Sequence, residues 1–189
     1  MSQSKSPRKA VLTLCCCAMS VALAFATSFL KIHFLWGGSV TFFSMFFICF
    51  AGSVYGPGIG LLTAFTYSVL QFVQDPYILT PFQVCCDYLF AFTALGVSGF
   101  FHKNRNGLLI GYLVGVFLRG AFHSLGGYLY WMEYMPDNFP KSLEAIYPIV
   151  YNYSYLLIEA LATVIIISLP PVRKALAYVK NILLGKSAE

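Results

Sequence analysis

Long apolar runs with short polar breaks make up most of the chain. No Asp, Glu, Lys or Arg occurs between Lys9 and Lys31, and none between Lys31 and Asp75. A helix that crosses a membrane needs about 20 consecutive, mostly apolar residues. The pattern therefore predicts six such helices, at roughly 10–30, 39–55, 58–74, 82–101, 107–131 and 149–169.

A basic C-terminal tail, residues 172–189, follows Pro170 and Pro171. Tyr178, Val179 and Ile182 recur there at helical spacing among polar residues. A helix with one apolar and one basic face lies in the plane of the membrane interface. We expect such a surface helix in the tail.

Composition agrees with the pattern: 59% of the 189 residues are hydrophobic and only 10% are charged, unlike a soluble domain. We expect residues 1–189 to form one all-α integral membrane domain, a six-transmembrane-helix bundle in the cell membrane, surrounded by membrane lipid. The N-terminal segment has the basic start and Ala-rich end of a signal peptide, but its apolar run is long enough to span. We therefore interpret it as the first helix.

The charges are distributed unevenly between alternate loops. With the N-terminus inside, the outer loops contain Lys31, Lys141 and four acids: Asp75, Glu133, Asp137 and Glu144. The inner side then contains one acid, Glu189, and these cations: Lys5, Arg8, Lys9, Lys103, Arg105, Arg173, Lys174, Lys180 and Lys186. Because cytoplasmic loops collect Lys and Arg, we predict an N-in, C-in topology. The net charge of +5 reflects this orientation and gives no support to nucleic-acid binding.

Nothing in the sequence indicates catalysis or a bound metal. The six cysteines all lie in apolar segments, without the spacing of metal ligands, and are expected to be free thiols. The three histidines do not form a nucleophile–base set with a neighbouring Ser. We expect no catalytic residue, no metal site and no cofactor in this chain.

Three ionisable residues, Asp87, Arg119 and Glu159, lie inside the predicted spans. A charge at the centre of a membrane helix costs about 2.5–3.5 kcal/mol on insertion scales, so it usually has a partner or a ligand. Arg119 and Glu159 are candidates for a structural ion pair between helices. Asp87 differs from them because it lies near the outer end of its helix, beside Tyr88.

Other polar and aromatic residues are predicted at the same outer level: Trp36, Tyr77, Tyr88, His123, Trp131, Tyr147 and Asn152. An interfacial belt accounts for Trp and Tyr, but not for Asp87, His123 and Asn152. A carboxylate surrounded by aromatic rings suits an organic cation, through Coulomb attraction and cation–π contacts. We predict a flat, heteroaromatic, positively charged ligand that is bound from outside.

Three motifs carry a family resemblance: YILTPFQVCCDY, RGAFHSLGGYLYW and YPIVYNYSYLLIEA. In their order and internal spacing they resemble the thiamin-specific substrate-binding (S) components of energy-coupling factor (ECF) transporters. The resemblance implies a six-helix subunit that binds thiamin from outside with high affinity. It also implies association with a transmembrane coupling component and two cytoplasmic ATPases, which hydrolyse ATP and drive release inward.

The resemblance assigns ligand-binding positions to the residues already collected: Trp36, Tyr77, Asp87, Tyr88, His123, Trp131, Tyr147 and Asn152. Members of the family carry Glu where this chain has Asp87. The shorter side chain places its carboxylate deeper in the wall or contacts the ligand through water.

Ala18, Ala22 and Ala26 recur every four residues in the first helix. Such a stripe of small residues lets another helix approach closely. The resemblance implies docking of the coupling component there. Packing inside the monomer is the alternative.

Three other functions remain as alternatives. An S component for another heteroaromatic vitamin or precursor would share the same features. A small integral-membrane enzyme that acts on a lipid would place its acids or histidines towards the cytoplasmic headgroups. A self-sufficient carrier would show internal repeats with paired broken helices, and neither is evident.

Overall fold

The structure, a computed structural model, describes residues 7–33, 36 and 38–185. Lys5, Lys186 and Glu189, which entered the charge argument, lie outside the described residues. Within these ranges the chain forms seven helices and one small hairpin. The helices are α1 Pro7–Ser28, α2 Ser44–Tyr55, α3 Pro57–Gln74, α4 Pro81–Phe101, α5 Gly107–Tyr134, α6 Lys141–Ser168 and α7 Pro170–Leu184.

The hairpin before α2 was not predicted. Strand β1 (Lys31–His33) pairs in antiparallel register with β2 (Ser39–Thr41). The prediction of helix from residue 39 was therefore wrong for the first five positions. Phe43 adopts a left-handed φ of 61°, which ends the extended segment and lets α2 begin only at Ser44.

The ends of the last helices also differ from the sequence pattern. A 3₁₀ turn at Lys141–Ile146 starts α6 before the predicted residue 149, and α5 continues to Tyr134. The tail forms the helix expected there, α7, which begins directly after α6 at the Pro170-Pro171 pair. Proline fits the first turn of a helix because its missing N–H has no partner there anyway.

The outer surface of the bundle is apolar. Four of the helices in the described ranges, α1, α4, α5 and α6, are long and apolar enough to cross a membrane. Large side chains on the outside are more than 60% exposed, among them Leu14, Leu62, Phe117 and Leu161. Such a surface requires lipid around it, and the chain is an all-α membrane protein.

Helix α2 lies at the centre of the bundle. Nine of its 12 residues are buried, and it packs against α1, α3, α4 and α5. Met45, Ile48 and Cys49 from α2 meet Leu95 of α4 and Leu156 of α6 in the core. A helix enclosed on most sides carries apolar residues on all faces, which explains why α2 shows no polar stripe.

Helices α3 and α4 cross at Gly60 and Gly96, where their backbones come into close contact. A Cβ added to Gly96 would lie 2.6 Å from both the carbonyl oxygen of Gly60 and the Cα of Leu61. Backbones this close leave no room for a side chain, and small residues are what allow it. The crossing holds the C-terminal half of α4 against α3, while Asp87 lies in the N-terminal half of the same helix.

We predict that Gly96→Val lowers the stability of the bundle by about 1–3 kcal/mol, because the added atoms force the two backbones apart. The measurement is the apparent melting temperature of the detergent-purified protein. Gly58→Ala is the matched control, since a Cβ at Gly58 meets nothing within 4 Å. Equal melting temperatures for the two variants would contradict the close crossing.

Candidate functional site

A cavity of about 520 Å³ opens at the end of the bundle where α1, α3 and α5 finish and α4 and α6 begin. Seven of the eight predicted ligand-binding residues line it: Trp36, Asp87, Tyr88, His123, Trp131, Tyr147 and Asn152. They come from the first loop and from α4, α5 and α6. The tertiary fold thus brings together side chains that are more than 100 positions apart.

Two π-helical turns face each other at the cavity. Asp87 lies in the turn Cys85–Phe90 of α4, and Trp131 ends the turn Gly127–Trp131 of α5. Such turns insert an extra residue into a helix and occur frequently at functional sites. Trp131 Nε1 donates a hydrogen bond of 3.0 Å to Asp87 Oδ2, so the two turns are joined directly through these side chains.

A buried glutamine holds the same carboxylate oxygen. Gln83 is fully buried, and its Nε2 donates to Asp87 Oδ2 at 2.7 Å. Its own Oε1 accepts from the backbone N–H of Leu79 at 3.0 Å, which ties the carboxylate to the loop before α4. Oδ2 therefore has two donors. Oδ1 faces His123 Nδ1 at 3.8 Å, a distance too long for a direct hydrogen bond, so it can still accept from a ligand.

A glycine makes room for this carboxylate. A Cβ at Gly126 of α5 would lie 2.7 Å from Asp87 Oδ1 and 3.3 Å from the Cβ of Cys86. Any other residue at position 126 would displace the carboxylate or separate the two helices. Gly126 therefore belongs to the site, although the sequence argument did not select it.

Arg119 faces the cavity, contrary to the prediction that it forms a structural pair. Its Nε donates to His123 Nε2 at 3.3 Å, and its guanidinium carbon lies 4.3 Å from the centroid of the Phe92 ring. A histidine that accepts at Nε2 carries its proton on Nδ1. That nitrogen lies 3.8 Å from Asp87 Oδ1, so a neutral His123 stands between the guanidinium and the carboxylate.

Glu159 has a different partner from the one expected. Among the described residues it makes no ion pair with Arg119. The guanidinium of Arg119 exerts only a longer-range Coulomb interaction on the Glu159 carboxylate. Its Oε2 accepts from the backbone N–H of Thr41 at 3.0 Å and from the Thr41 hydroxyl at 2.8 Å, while Oε1 is buried without a partner. The expected pair was wrong because strand β2, absent from the prediction, supplies these donors. Glu159 thereby anchors the hairpin whose connection contains Trp36.

An aromatic wall runs from Trp36 along α6. Trp36 and Phe139 have ring centroids 4.9 Å apart, and Phe139 lies at the same distance from Tyr147. The series continues to Tyr151 at 5.6 Å and from there to Tyr155 at 5.9 Å. Trp36 itself has φ 69°, a conformation that bulky residues rarely adopt. Positions four apart lie on one helix face, so the tyrosines form a continuous surface towards the cavity.

Tyr77 is the predicted residue that does not line the cavity. Its ring packs behind Trp131, with centroids 4.9 Å apart. Its backbone N–H donates to the Tyr88 hydroxyl at 3.1 Å, and that hydroxyl donates to the carbonyl of Asp75 at 2.7 Å. Tyr88 thus holds the loop between α3 and α4 in place, in addition to presenting its ring to the cavity.

Asn152 is buried, and most of its hydrogen-bonding capacity is used within the protein. Its Nδ2 donates to the carbonyl of Pro148 at 2.8 Å, and its Oδ1 accepts from the Tyr155 hydroxyl at 2.9 Å. One amide hydrogen and one lone pair remain for a ligand.

Several lining residues were missed by the sequence argument: Ser28, Thr41, Ser44, Tyr67, Gln71, Phe92, Tyr151 and Tyr155. Tyr151 and Tyr155 could have been found, because they follow Tyr147 at intervals of four on the same helix. Gln83 could also have been found, because it lies four positions before Asp87 and therefore on the same face of α4. The lining residues of α1 and α3 could not have been found from their spacing, because only the packing of the helices turns them towards the cavity.

The cavity combines aromatic rings with charges of both signs. Asp87 and Arg119 lie among the rings, and the rim carries an exposed pair, Lys31 and Asp75, with 3.9 Å between Nζ and Oδ2. Among the described residues no group of three or more His, Cys, Asp or Glu could hold a metal ion.

The chain is similar to known thiamine transporters in sequence and fold. The sequence model of the thiamine transporter protein family (Thia_YuaJ) matches residues 14–178. The chain is 28% identical to the thiamine transporter ThiT of Bacillus subtilis (strain 168) over 149 residues, which cover 70% of this chain and 74% of that protein. The solved structure of ThiT from Listeria monocytogenes has the same fold, with a TM-score of 0.71 and 24% identity over 85% of this chain and 93% of that one.

We predict that Glu159→Leu destabilises the hairpin, because the two Thr41 donors lose their acceptor at a cost of about 1–3 kcal/mol for each buried group. Hydrogen exchange at residues 39–41 should become faster, and the melting temperature should fall. Glu159→Gln is the control, since its amide oxygen can still accept from Thr41. Unchanged exchange in the Leu variant would show that the hairpin is held by other contacts.

Proposed function

Because the chain belongs to the thiamine transporter protein family, it is a thiamin-binding S component rather than an enzyme, and we propose that the cavity described above captures thiamin. The protein is a multi-pass protein of the cell membrane. The observation that carries the proposal is the Asp87 carboxylate, held by Gln83 and Trp131 inside an aromatic cavity. The cavity volume of about 520 Å³ is in the usual range for small-molecule sites.

Asp87 supplies the charge that thiamin requires. Thiamin combines a permanently charged thiazolium ring with an aminopyrimidine. Oδ1 of Asp87 either compensates the thiazolium charge or accepts a hydrogen bond from the amino group. Because Asp is one methylene shorter than Glu, a water molecule between Oδ1 and the ligand is compatible with the same role.

The aromatic residues hold the two rings. Trp36 and Trp131 both line the cavity and are the candidates for stacking, while Tyr147, His123 and Asn152 supply hydrogen bonds. Tyr77 contributes indirectly by supporting Trp131. Cation–π contacts of about 0.5–2 kcal/mol each would add to the charge interaction.

Thiamin should quench the intrinsic tryptophan fluorescence of the detergent-purified protein in a saturable manner. The chain contains only two tryptophans, Trp36 and Trp131, and both line the cavity, so the signal reports on this site alone. Riboflavin and biotin serve as control ligands. Equal quenching by either control, or no response to thiamin, would contradict the proposal.

In the same titration, Asp87→Asn should raise the Kd for thiamin by at least about 30-fold, since losing one partner of a buried charge pair costs about 2 kcal/mol or more. Asp137→Asn is the matched control, because Asp137 is exposed in the α5–α6 loop and does not line the cavity. An unchanged affinity in the Asp87 variant would remove the charge argument.

For uptake, we propose docking with a transmembrane coupling component that carries two cytoplasmic ATPases, so that ATP is hydrolysed outside this chain. A groove of about 740 Å³ between α1 and α3 is almost wholly apolar, and Ala18 and Ala22 line it. Ala18, Ala22 and Ala26 are all exposed, so the alternative of packing inside the monomer was wrong. The groove supports the proposal because a helix can approach closely over small residues.

Ala22→Trp should abolish thiamin uptake in cells that carry the complete transporter, while thiamin binding to the purified subunit stays normal. The indole ring would fill the groove without reaching the cavity. Ala162→Trp is the control, because Ala162 is an equally exposed alanine on α6, away from the groove. Loss of binding together with uptake would instead indicate damage to the fold.

We also propose that α1 to α6 each cross the membrane with the N- and C-termini inside, and that α7 lies on the inner surface. The described charges support this orientation: Lys103 and Arg105 lie between α4 and α5, whereas Asp137 lies between α5 and α6. In a background without cysteine, a maleimide that cannot cross the membrane should label Asp137→Cys but not Lys103→Cys in intact cells. The reverse pattern would invert the topology.

A further inference from the structure

A second, smaller cavity lies at the opposite end of the bundle from the thiamin site. It has a volume of about 270 Å³ and lies between the α4–α5 loop, the start of α5, the end of α6 and the face of α7. Its lining includes Phe50, Arg105, Leu108, Ile167, Arg173 and Leu176. No residue is shared between the two cavities, so this one has no part in thiamin capture.

The cavity is positively charged and has no acid to balance it. Arg105 and Arg173 both line it, and among the described residues neither guanidinium has a hydrogen-bond or ion-pair partner. Residues 100–110 and 165–185, which contain most of the lining of this cavity, include no Asp or Glu. Two guanidinium groups at one cavity can bind a phosphate through paired N–H donors, which lysine cannot do in the same geometry.

The backbone adds donors at the same place. Helix α5 begins at Gly107, and no side chain caps its N-terminus. Asn104 already accepts from the Gly107 N–H at 3.0 Å, but the N–H groups of Leu108 and Leu109 belong to the first turn and have no acceptor within the helix. A helix N-terminus with open N–H groups favours an anion, and here it lies beside the two arginines.

The position of the cavity indicates what carries the anion. Beside the polar residues, one part of its wall is apolar and is formed by Phe50, Leu108, Ile167 and Leu176. Lys180 ties α7 to the bundle, since its Nζ donates to the carbonyls of Ser53 at 2.8 Å and His102 at 3.3 Å. The exposed side of α7 carries large apolar groups that suit the membrane interface: Tyr178, Val179 and Ile182. A charged end with an apolar wall at membrane depth matches the phosphate and glycerol portion of a lipid better than a free ion.

We propose that this cavity binds the phosphate group of an anionic glycerophospholipid, with Arg105 and Arg173 as the phosphate ligands. The lipid then holds the α4–α5 loop against α7. The inference does not depend on thiamin as the substrate, and it depends on the proposed topology only for the leaflet from which the lipid comes.

The test is native mass spectrometry of the detergent-purified protein titrated with phosphatidylglycerol, with phosphatidylcholine as the zwitterionic reference lipid. The wild-type protein should form a one-to-one phosphatidylglycerol adduct at lower lipid concentration than the phosphatidylcholine adduct. The double variant Arg105→Gln/Arg173→Gln should reduce the phosphatidylglycerol adduct at least 5-fold. The double variant Lys103→Gln/Lys174→Gln is the matched control, since it removes the same charge from exposed positions outside the cavity.

An equal loss in both double variants would overturn the proposal, because it would mean that the adduct follows overall charge and not this cavity. Equal binding of the two lipids would also overturn it. If millimolar inorganic phosphate displaced phosphatidylglycerol completely, the cavity would recognise a free anion, and the assignment to a lipid would be wrong. Thiamin quenching is measured on every variant and reports on folding and on the large cavity. A failure of the proposed thiamin function is therefore distinguished from a failure of the proposed lipid site.

Discussion

A carboxylate inside an apolar helix is the constraint on which the site depends. Asp87 cannot remain charged at that depth without donors, and the fold provides them from Gln83 on the same helix and from Trp131 on the next. These bonds need an extra residue in each helix, supplied by the two π-helical turns, and a glycine at position 126. Because both donors bind Oδ2, Oδ1 of Asp87 stays available, as the proposed binding of a cationic ligand requires.

A second buried carboxylate fixes the hairpin at the edge of the cavity. Glu159 accepts from the backbone and the hydroxyl of Thr41 and so fixes the hairpin that lies beside the cavity. The short connection within that hairpin contains Trp36, whose ring packs on Phe139 and so joins the aromatic wall. The two acids therefore have different roles: Asp87 lines the cavity, and Glu159 holds the hairpin beside it.

The two ends of the bundle have opposite electrostatic character, and both follow from the membrane. The end with the large cavity carries nearly all the acids and the aromatic wall, whereas the described residues at the other end carry arginines and lysines without acids. The proposed orientation and the proposed binding of an anionic lipid both rest on this charge distribution. The apolar groove beside Ala22 lies between these ends, where another membrane helix can approach it.

The sequence by itself determined the membrane class, because long apolar runs have no other stable environment, and the approximate helices, because the polar breaks are local. It also selected most of the candidate side chains that the fold brings to one cavity, since a carboxylate such as Asp87 in an apolar run needs a partner or a ligand. Only the tertiary structure decided the contacts. The partner of Glu159 is a backbone N–H of a short hairpin, and the role of Gly126 depends on how closely two helices approach. Such contacts join distant residues through geometry, and no spacing along the chain encodes them.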